Sequence, residues 1–568
     1  MLPFGLDPVQ FLLAAGALLA VLVLLAWIIG SISGTTGNKG RPRELDRERR
    51  TAHNWARYKQ VRDLSDTLPP DPRRLRLCQL DGHGLANPPL RSKLVLAPSG
   101  AGKTPRVVVP DVLRHNGPAV VTSIKGDVLA LTRHNRQQRG RVWIFDPSQS
   151  VGPTARWSPL AHVQTWADAL DAARSIQECS KVDGTGGLQD REFWDAQARY
   201  LLAPLIHLAA ARGKTMADIA GLVVGGDETE RMVTNLLDAL ADSGPRLYWA
   251  RFVGLEHKTK SSVLITAATV LEAWTHPRVA AAVNVHASDP EALDLDELLT
   301  GPHTLYLVSP ASEQQMFTPI YEAMVNAITQ RVEAAYHQHG STPLDPPLLL
   351  ALDEAANIAP LRRLDYLASA GAGQGIIVLS VWQDEGQIEQ IYGPSKARSI
   401  RANHYAKLYL PGISDHTTLA HLAEQIGDTQ VTRTSTSTSQ TGDRSTTRSH
   451  ETIQVAPPVW LRQLDRQEVV VILGHYPPIL GTLPAWFDDK QLRALIPGDV
   501  AADFDRIHSQ PGRRRGRGRR VGDQAGRDHL TSGNAPTEQP PRGPLLEDES
   551  VQGWYANHYR DHRRTDQP

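Results

Sequence analysis

Short apolar runs alternate with longer segments of helical periodicity along most of the chain. The runs KLVLA, AVVTS and RVWIFD occur within residues 92–146, and HTLYLVSP, PLLLALDE and GIIVLSVWQ follow after residue 300. Such runs, separated by helix-length segments, predict a parallel sheet with crossover helices. Between the two groups, stretches such as REFWDAQARYLLAPLIHLAAARG have helical spacing. The pattern predicts an α/β domain of residues 91–155 and 291–497, interrupted by an all-α domain of residues 156–290.

The composition is that of an ordinary globular protein. The 568-residue chain contains 41% hydrophobic and 21% charged residues, as globular domains do. Lys and Arg together number 61, and so do Asp and Glu, so nucleic-acid binding would need local basic patches. Cys78 and Cys179 lack metal-ligand spacing, which excludes a zinc module, and we predict both to be core residues. Phe193, Trp194 and Leu201 are likewise interpreted as a core stripe of the all-α domain.

The amino-terminal segment is predicted to anchor the chain in a membrane. Residues 11–29 are almost wholly apolar and match one bilayer width at about 1.5 Å per residue. Basic residues follow from Lys39 onward, and such an excess marks the cytoplasmic side of a span. In the alternative, a cleaved secretory signal, basic residues would precede the apolar run. We therefore expect residues 1–38 to form a single-pass inner-membrane anchor, with the bulk of the chain in the cytoplasm.

Three other segments lack the pattern of a folded core. Residues 39–90, rich in Arg, Asp and Pro, are predicted to form a membrane-proximal stem. The Ser- and Thr-rich residues 432–452 are predicted to form a mobile loop between edge strands. Residues 498–568 are predicted to be a disordered tail. Six arginines of this tail lie within residues 513–520, and they could bind DNA, anionic lipid or neither.

A glycine-rich segment follows the first apolar run of the α/β pattern. The sequence APSGAGKT at residues 97–104 matches the phosphate-loop pattern GxxxxGK[ST], with Ala at the first glycine position. Glycines at this spacing let main-chain N–H groups surround phosphate oxygens, where a Cβ would clash. Lys103 would reach the β- and γ-phosphates of ATP, and the Thr104 hydroxyl would bind Mg²⁺. The predicted ATP-binding residues are Pro98, Ser99, Gly100, Ala101, Gly102, Lys103 and Thr104.

An acidic pair follows a second apolar strand. PLLLALDE ends in Asp353, predicted to hold Mg²⁺ with Thr104, and in Glu354, predicted to polarise the water that attacks the γ-phosphate. A third strand, IIVLSVWQ, ends in Gln383, which is predicted to sense the γ-phosphate or its water; a simple loop role is the alternative. Together with Lys103, these three residues are the predicted catalytic set. The motifs therefore predict ATP hydrolysis with Mg²⁺.

The order of these motifs resembles that of the conjugative coupling proteins of type IV secretion, the TraG- and TraD-like P-loop ATPases. The similarity extends over residues 94–486 and includes PAVVTSIKGDVLALT, FWDAQARYLL, LDEAANIAPLRRLDYLASAGAGQGI and VWQDEGQIEQIYG. The resemblance implies a RecA-like motor domain with an inserted all-α domain, assembled as a homohexamer around a DNA channel. It also implies two kinds of partner: DNA with a bound relaxase, and inner-membrane subunits of the secretion system.

Two features of the family pattern leave the chemistry open. Relatives often have an Arg in the Gly-flanked turn before the Gln strand, which reaches a neighbouring subunit's nucleotide, but this chain has Ala372. Arg398 or Arg401 could take that role. Lys125 and Asp127 match a family segment and form either a structural ion pair or part of a site.

Two other functions remain as alternatives. Without a neighbour's cation, the chain could be a membrane-tethered substrate receptor that binds nucleotide but does not hydrolyse it. An FtsK-like translocase for double-stranded DNA is the second alternative, and it lacks support because no winged-helix-like pattern follows Pro497. A motor needs Glu354 and a cation for turnover, whereas a receptor needs only substrate-binding surfaces.

Overall fold

The computed structural model describes residues 41–179, 188–240, 242–286, 289, 292–438 and 444–508. The chain divides into a larger unit, Ala56–Leu422 with Pro457–Pro568, and a smaller unit, Met1–Trp55 with Ala423–Ala456. In both units the structure covers only the ranges given above. Within those ranges no helix is both long enough and apolar enough to cross a membrane. The predicted anchor, with its span at residues 11–29, and the arginines of residues 513–520 lie outside the described residues.

A mixed sheet of eleven strands forms the centre of the larger unit. In chain order, the strands of the described residues are β1 (Arg76–Leu80), β2 (His83–Ala86), β3 (Lys93–Leu96), β4 (Ala119–Ser123), β5 (Val142–Phe145), β6 (Thr304–Val308), β7 (Leu348–Leu352), β8 (Ile376–Trp382), β9 (Ala406–Tyr409), β10 (Asp428–Thr438), β11 (Arg444–Gln454), β12 (Glu468–Leu473) and β13 (Ile479–Thr482). The sheet order is β2-β1-β13-β12-β9-β3-β8-β7-β4-β6-β5. The seven strands from β9 to β5 are parallel, and the other four pair antiparallel.

Helices connect successive parallel strands, as the sequence pattern predicts. In chain order, the α-helices of the described residues are α1 (Arg41–Arg50), α2 (Val109–Arg114), α3 (Asp127–Gln137), α4 (Trp166–Cys179), α5 (Leu188–Ala211), α6 (Met216–Val224), α7 (Gly226–Asp238), α8 (Ser243–Val253), α9 (His257–Thr275), α10 (Pro277–Val283), α11 (Leu295–Leu299), α12 (Gln314–Gln338), α13 (Leu364–Ser369), α14 (Gly371–Gln374), α15 (Glu385–Asn403), α16 (His416–Ile426), α17 (Pro458–Arg462), α18 (Lys490–Ala494) and α19 (Gly498–His508). The predicted α/β fold class is confirmed.

The central parallel strands are buried along their whole length. Every residue of β3, β4, β6, β7 and β8 is buried. A strand covered on both faces needs apolar side chains at successive positions, which explains continuous runs such as LLLAL and IIVLSVW. Because these strands are parallel, their carboxyl ends meet at one edge of the sheet. The loops that leave this edge bring together residues that are far apart in the sequence.

Between β5 and β6 the described residues form helices α4 to α11 and no strand. The buried indole rings of Trp157 and Trp274 lie with centroids 6.2 Å apart in this helical segment. The predicted core stripe is only partly correct, because Leu201 is buried whereas Phe193 is 48% exposed. Consecutive residues of an α-helix lie about 100° apart, so Phe193, near the start of α5, faces solvent while Leu201, two turns further on, faces the core.

The prediction of a stem for residues 39–90 is wrong for its second half. β1 pairs antiparallel with both β2 and β13, so this hairpin belongs to the large sheet. Asp81 and Gly82 connect the strands with φ of 50° and 80°, respectively. The dipeptide Asp-Gly between strands favours a two-residue hairpin turn, a signal that outweighs the surrounding Arg and Pro content. Cys78 in β1 and Cys179 in α4 are both buried, as predicted.

The prediction that the disordered tail begins at residue 498 is also wrong, because α19 follows there. Its Phe504 ring packs against the buried Trp486, with centroids 5.2 Å apart. This contact belongs to a small apolar cluster that also includes Val109, Leu113, Leu131, Leu492, Ile496 and Ala501. The apolar positions of α19 lie on one helix face, which the high Asp and Ala content obscures in the sequence. Residues 509–568 lie outside the described residues.

The smaller unit contains α1 and a separate two-stranded ribbon. β10 and β11 pair antiparallel over eleven residue pairs. Asn54 Nδ2 donates to the carbonyl oxygens of Ile426 and Asp428, at 2.9 and 3.2 Å. The prediction of a mobile loop for residues 432–452 is therefore wrong for the described residues. Thr has a high strand propensity, and opposed Thr residues stabilise a ribbon although the segment has few apolar residues.

Candidate nucleotide-binding site

The glycine-rich loop leaves the carboxyl end of β3. Gly100 and Gly102 have φ of +80° and +84°, the left-handed region that residues with a Cβ rarely adopt. At Gly102 a Cβ would also lie 3.1 Å from Arg106 Nε. After Lys103, Thr104–Val108 form a π-helical turn that continues into α2. The loop thus ends at a helix amino terminus, where main-chain N–H groups favour bound anions.

Strand β8 brings the other predicted residues to this loop, because it lies between β3 and β7. The Ala97 N–H donates to Trp382 O at 2.9 Å, and the Ala355 N–H donates to Val381 O at 3.1 Å. These hydrogen bonds hold the loop after β3 and the turn after β7 against the same strand. The acidic pair at the end of β7 therefore lies beside the glycine-rich loop.

Thr104 and Asp353 are in direct contact. The Thr104 hydroxyl donates to Asp353 Oδ2 at 2.9 Å. Asp353 is only 5% exposed, and among the described residues its second oxygen, Oδ1, has no hydrogen-bond partner. The Thr122 hydroxyl of β4 donates to the Asp353 carbonyl oxygen at 2.9 Å, which holds the turn in place. The structure thus brings together the two residues predicted to bind Mg²⁺.

The charge environment of Asp353 favours a bound cation. The pKa of Asp353 is raised to about 7 by burial, first of all, and by the nearby Asp127 carboxyl, although Lys103 and Thr104 act to lower it. No three His, Cys, Asp or Glu side chains converge on a metal position in the part of the chain that the structure describes. A Mg²⁺ ion on Thr104 and Asp353 would therefore keep water and phosphate oxygens as its other ligands, as Mg²⁺ usually does.

Lys103 and Glu354 form an ion pair, with 2.7 Å between Nζ and Oε1. The Asn357 amide donates to the second Glu354 oxygen at 2.9 Å. Glu354 has φ of 52°, so its backbone is in the left-handed region at the end of β7. A phosphate that binds to Lys103 therefore competes with Glu354 for the ammonium group.

Gln383 lies half-buried directly after β8. Its main-chain N–H donates to Gln387 Oε1 at 3.0 Å, and Asp384 caps α15 by accepting the Gln387 N–H at 2.8 Å. Within the described residues, the Gln383 side chain has no hydrogen-bond partner. This end of β8 is adjacent to the glycine-rich loop, so the structure places Gln383 at the same edge as the other predicted residues.

Sequence reasoning missed Thr122 and Asn357. Thr122 is a single hydroxyl in the otherwise apolar run AVVT, and such a polar position inside a buried strand signals a specific hydrogen bond. Asn357 comes three residues after Glu354, a spacing that suits contact within a turn, but nothing in the sequence indicates that its partner is the Glu354 carboxylate.

The ion pair considered for Lys125 and Asp127 is not formed in the described structure. Lys125 is exposed, whereas the Asp127 Oδ1 atom accepts from the Val128 N–H at 2.9 Å and from the Ser123 hydroxyl at 3.3 Å. Burial raises the pKa of Asp127. Of the two alternatives, the structural ion pair is therefore excluded for the described residues.

The two arginines proposed to replace the missing cation differ in their contacts. Arg401 lies 3.3 Å from the Glu385 carboxylate and 3.1 Å from that of Glu389. Arg398 is exposed and forms no ion pair with any described residue. Ala372 lies half-buried in α14. Of these two arginines, Arg398 therefore has the guanidinium group that no described residue holds in an ion pair.

The fold and site together define the class of this protein: an α/β protein with a large mixed sheet, in which a glycine-rich phosphate-loop motif lies beside an acidic pair. Residues 82–503 match the family model described as "Type IV secretory system Conjugative DNA transfer", and the chain belongs to this family. The resemblance to the conjugative coupling proteins is therefore confirmed.

Relatives and solved structures agree with this assignment. Conjugal transfer protein TraG of Escherichia coli is 26% identical over 72% of this chain and 70% of its own length. Protein VirD4 of Agrobacterium fabrum is 22% identical over 74% of this chain and 62% of its own length. Among solved structures, the unbound conjugative coupling protein TrwBdeltaN70 has a TM-score of 0.55 and 19% identity, covering 75% of this chain and 91% of its own. At this identity the structural similarity concerns the fold.

Proposed function

We propose that this chain is an ATP-hydrolysing coupling protein that moves DNA towards a conjugative type IV secretion channel. Family membership supports the role in conjugative DNA transfer. The ion pair between Lys103 and Glu354 carries the ATPase assignment, because it joins a phosphate-binding cation to a candidate base beside the hydrogen-bonded Thr104 and Asp353. TrwB, which has a similar fold, has been solved with the ATP analogue ADPNP and with ADP and Mg²⁺.

The residues present fit ATP and Mg²⁺. The Asp353 Oδ1 atom is buried without a hydrogen-bond partner in the described chain, so the carboxylate has capacity for a further contact. At Gly100 the space that a Cβ would occupy is open, which leaves room for phosphate. Thr104 and Asp353 would hold Mg²⁺, which when bound would neutralise charge on the phosphate oxygens.

The ion pair suggests how binding and hydrolysis are linked. When ATP binds, the Lys103 ammonium exchanges the Glu354 carboxylate for phosphate oxygens. Glu354 is then able to accept a proton from the attacking water, while its hydrogen bond from Asn357 keeps the carboxylate oriented. Gln383, at the end of the neighbouring strand, contacts the γ-phosphate or this water. Glu354 therefore pairs with Lys103 before ATP binds and serves as the base after ATP has bound.

A homohexameric ring would complete the site with a cation from a neighbouring subunit. An arginine supplied in trans stabilises the charge of a transferring phosphoryl group. We assign this role to Arg398 instead of Arg401, because the Arg401 guanidinium is held by Glu385 in its own chain. The assignment explains how a chain with Ala372 in the family's arginine position can still hydrolyse ATP.

The remaining assignments extend the family resemblance. We propose that the substrate is DNA with a bound relaxase, and that the chain docks on inner-membrane subunits of the secretion system. Residues 11–29 would span the inner membrane once and leave the bulk of the chain in the cytoplasm. We further propose that residues 156–290 form a separate all-α domain within the motor domain of residues 91–155 and 291–497.

A nucleotide-gated substrate receptor is the second candidate function. The observation that favours it is Ala372, which removes the trans arginine that relatives often have in this turn. In a receptor, the ion pair between Lys103 and Glu354 would respond to nucleotide without turnover. The two candidates differ in the requirement for Glu354: a motor needs its carboxylate, whereas a receptor binds nucleotide without it.

ATP hydrolysis by the purified full-length chain tests the proposal. We expect activity that rises with protein concentration and with added DNA, and that is lost in Lys103→Ala and Glu354→Gln. Glu297→Gln is the matched control, because Glu297 pairs with Arg141 at the surface, away from the site. Tight ATP binding without turnover, in the presence of DNA, would contradict the motor and leave the receptor.

A further inference from the structure

A third acidic residue lies at the same edge of the sheet as the Mg²⁺ ligands proposed above. β4 is adjacent and parallel to β7, with Thr122 paired to Leu352. Ser123 and Asp353 therefore leave the sheet side by side, and the bond from the Thr122 hydroxyl to the Asp353 carbonyl fixes this arrangement. The chain then turns through Gly126, whose φ of 68° is in the left-handed region, and Asp127 begins α3.

The Asp127 carboxyl is held in one orientation. Its Oδ1 atom accepts hydrogen bonds from the Val128 N–H and the Ser123 hydroxyl, at 2.9 and 3.3 Å. Asp127 is half-buried and forms no ion pair with the exposed Lys125 or with any other described residue. A partly buried, oriented carboxylate without a cation in direct contact is costly unless a further cation binds nearby.

Asp353, which lies beside Asp127, also has a carboxyl oxygen without a hydrogen-bond partner in the described chain. The Asp353 Oδ1 atom is buried, and no described residue donates a hydrogen bond to it. The Ser123 hydroxyl that holds the Asp127 carboxyl belongs to the last residue of β4, which lies beside Asp353, so two carboxylates that repel each other when both are ionised lie at the same point of the sheet edge. Lys103 is already paired with Glu354, which leaves two carboxylates around one hydrogen bond from Thr104. A divalent cation would relieve this repulsion.

We propose that Asp127 is a positioning residue of the Mg²⁺ site, whose carboxylate holds a water ligand of the metal. This inference rests on the proposed nucleotide site. A contact through water follows from the geometry, because Asp127, Asp353 and Glu354 do not converge directly on one metal position in the described structure. Mg²⁺ retains several water ligands in nucleotide sites, and carboxylates that hold such waters tune its affinity.

A simpler role for Asp127 is local: it is the first residue of α3, directly after the N-cap Gly126, and its carboxylate accepts the Val128 N–H. Asparagine has nearly the same shape, and its side-chain oxygen accepts the same hydrogen bond, but it carries no charge. Asp127→Asn therefore separates the two roles: it preserves the hydrogen bond and removes the charge. Asp353→Asn is the positive control, because it changes a residue assigned to hold the metal.

The experiment measures Mn²⁺ binding to the full-length chain in complex with ADP, by the decrease of the free-Mn²⁺ electron paramagnetic resonance signal. ADP affinity in the presence of EDTA is measured in parallel with a fluorescent ADP analogue. We expect Asp127→Asn to weaken Mn²⁺ binding roughly 10- to 100-fold, as loss of groups that support metal ligands does, and to leave metal-free ADP affinity within about twofold.

Three other outcomes are distinct. Unchanged Mn²⁺ affinity in Asp127→Asn, with a loss in Asp353→Asn, would overturn the inference and leave Asp127 with only its local hydrogen bonds at the start of α3. An equal loss of metal-free ADP affinity would also overturn it, because the residue would then act on the loop and not on the metal. Failure of the unaltered chain to bind ADP at all would refute the proposed nucleotide site itself.

Discussion

Replacing Glu354 with Gln should make ATP binding tighter and abolish hydrolysis. Lys103 Nζ lies 2.7 Å from Glu354 Oε1, so ATP competes with the Glu354 carboxylate for Lys103. Gln has the shape of Glu and can still accept the Asn357 hydrogen bond, but it has no charge to hold the ammonium group. The substitution thus removes both a competitor of ATP and the candidate base.

The size of the effect follows from the geometry of the pair. For unit charges 2.7 Å apart, Coulomb's law at an effective dielectric constant of about 20 gives an attraction of about 6 kcal/mol. The cost of desolvating and ordering the two side chains offsets most of this attraction, and hydrogen bonds to charged groups contribute about 1.5–3 kcal/mol net to stability. Because the Glu354 side chain remains 22% exposed, we expect about 1–2 kcal/mol. This corresponds to roughly 5- to 30-fold tighter ATP binding.

Two assays measure this prediction. ATP affinity is obtained by titration of the full-length chain under conditions where hydrolysis is negligible, such as with EDTA present, and turnover is obtained from phosphate release with Mg²⁺. Glu297→Gln, the same chemical change at a surface ion pair, should leave both quantities unchanged. Equal or weaker ATP binding in Glu354→Gln would refute the idea that the carboxylate competes for Lys103. Retained hydrolysis would refute its role as the base.

Three further predictions concern stability and turnover. The folded-state pKa of Asp353 is raised from 3.8 to about 7, so the stabilising contribution of this carboxyl is present below pH 4 and is lost as the pH rises to 7. Because asparagine stays neutral at every pH, Asp353→Asn should raise the melting temperature more at pH 8 than at pH 5. Trp486→Ala should lower the free energy of unfolding by about 3–5 kcal/mol, because Trp486 is fully buried. Arg401→Ala should lower the free energy of unfolding, measured by denaturant titration, by about 3–5 kcal/mol, because the buried Glu385 carboxylate loses a cationic partner. Arg398→Ala, in contrast, should leave stability unchanged and reduce ATP turnover at least about a hundredfold.

Each of these predictions has a control. Burial also raises the pKa of Glu322 to about 7, so Glu322→Gln should show the same pH trend in stability without affecting nucleotide binding. Phe487 is 36% exposed, so Phe487→Ala should cost far less than Trp486→Ala. A pH-independent effect of Asp353→Asn would show that this carboxyl is not held neutral. Normal turnover in Arg398→Ala would exclude it as the cation supplied in trans.

The central sheet could be predicted from the sequence because strands buried on both faces consist of continuous apolar runs. Strands such as β7 and β8 require apolar residues at every position, and the runs LLLAL and IIVLSVW therefore mark them without knowledge of their neighbours. The phosphate loop was predictable for a similar reason: Gly100 and Gly102 adopt positive φ, and residues with a Cβ rarely do. In both cases, burial or backbone conformation restricts which residue type can stand at the position, whatever its partners are.

Contacts between distant residues could not be predicted in the same way. The ion pair of Lys103 with Glu354 depends on the position of β8 between β3 and β7, and no local pattern specifies strand order. The same holds for the bond from the Thr122 hydroxyl to the Asp353 carbonyl, which joins positions 231 residues apart. Sequence reasoning therefore identified the residue types of the site but not which of them pair with each other.

The wrong predictions concern segments whose burial is partial. Residues 39–90 and the region after residue 498 contain many charged residues, and this composition masked the hairpin of β1 and β2 and the helix α19. Two signals were nevertheless present: the dipeptide Asp81-Gly82 for the hairpin, and the spacing of Ala501 and Phe504 for one face of α19. Average composition predicts such peripheral elements less well than their specific turn and spacing signals do.

Plasmid transfer between cells tests the central claim most directly, namely that ATP hydrolysis at Lys103 and Glu354 drives DNA transfer. A donor whose conjugative element lacks its own copy of this gene is supplied with the wild-type chain, Lys103→Ala, Glu354→Gln or Glu297→Gln at equal protein levels. We predict that wild type and Glu297→Gln restore transfer, that the two site variants do not, and that Glu354→Gln inhibits transfer when co-expressed with wild type, as expected for a ring. Transfer by Glu354→Gln at the wild-type frequency would contradict the claim.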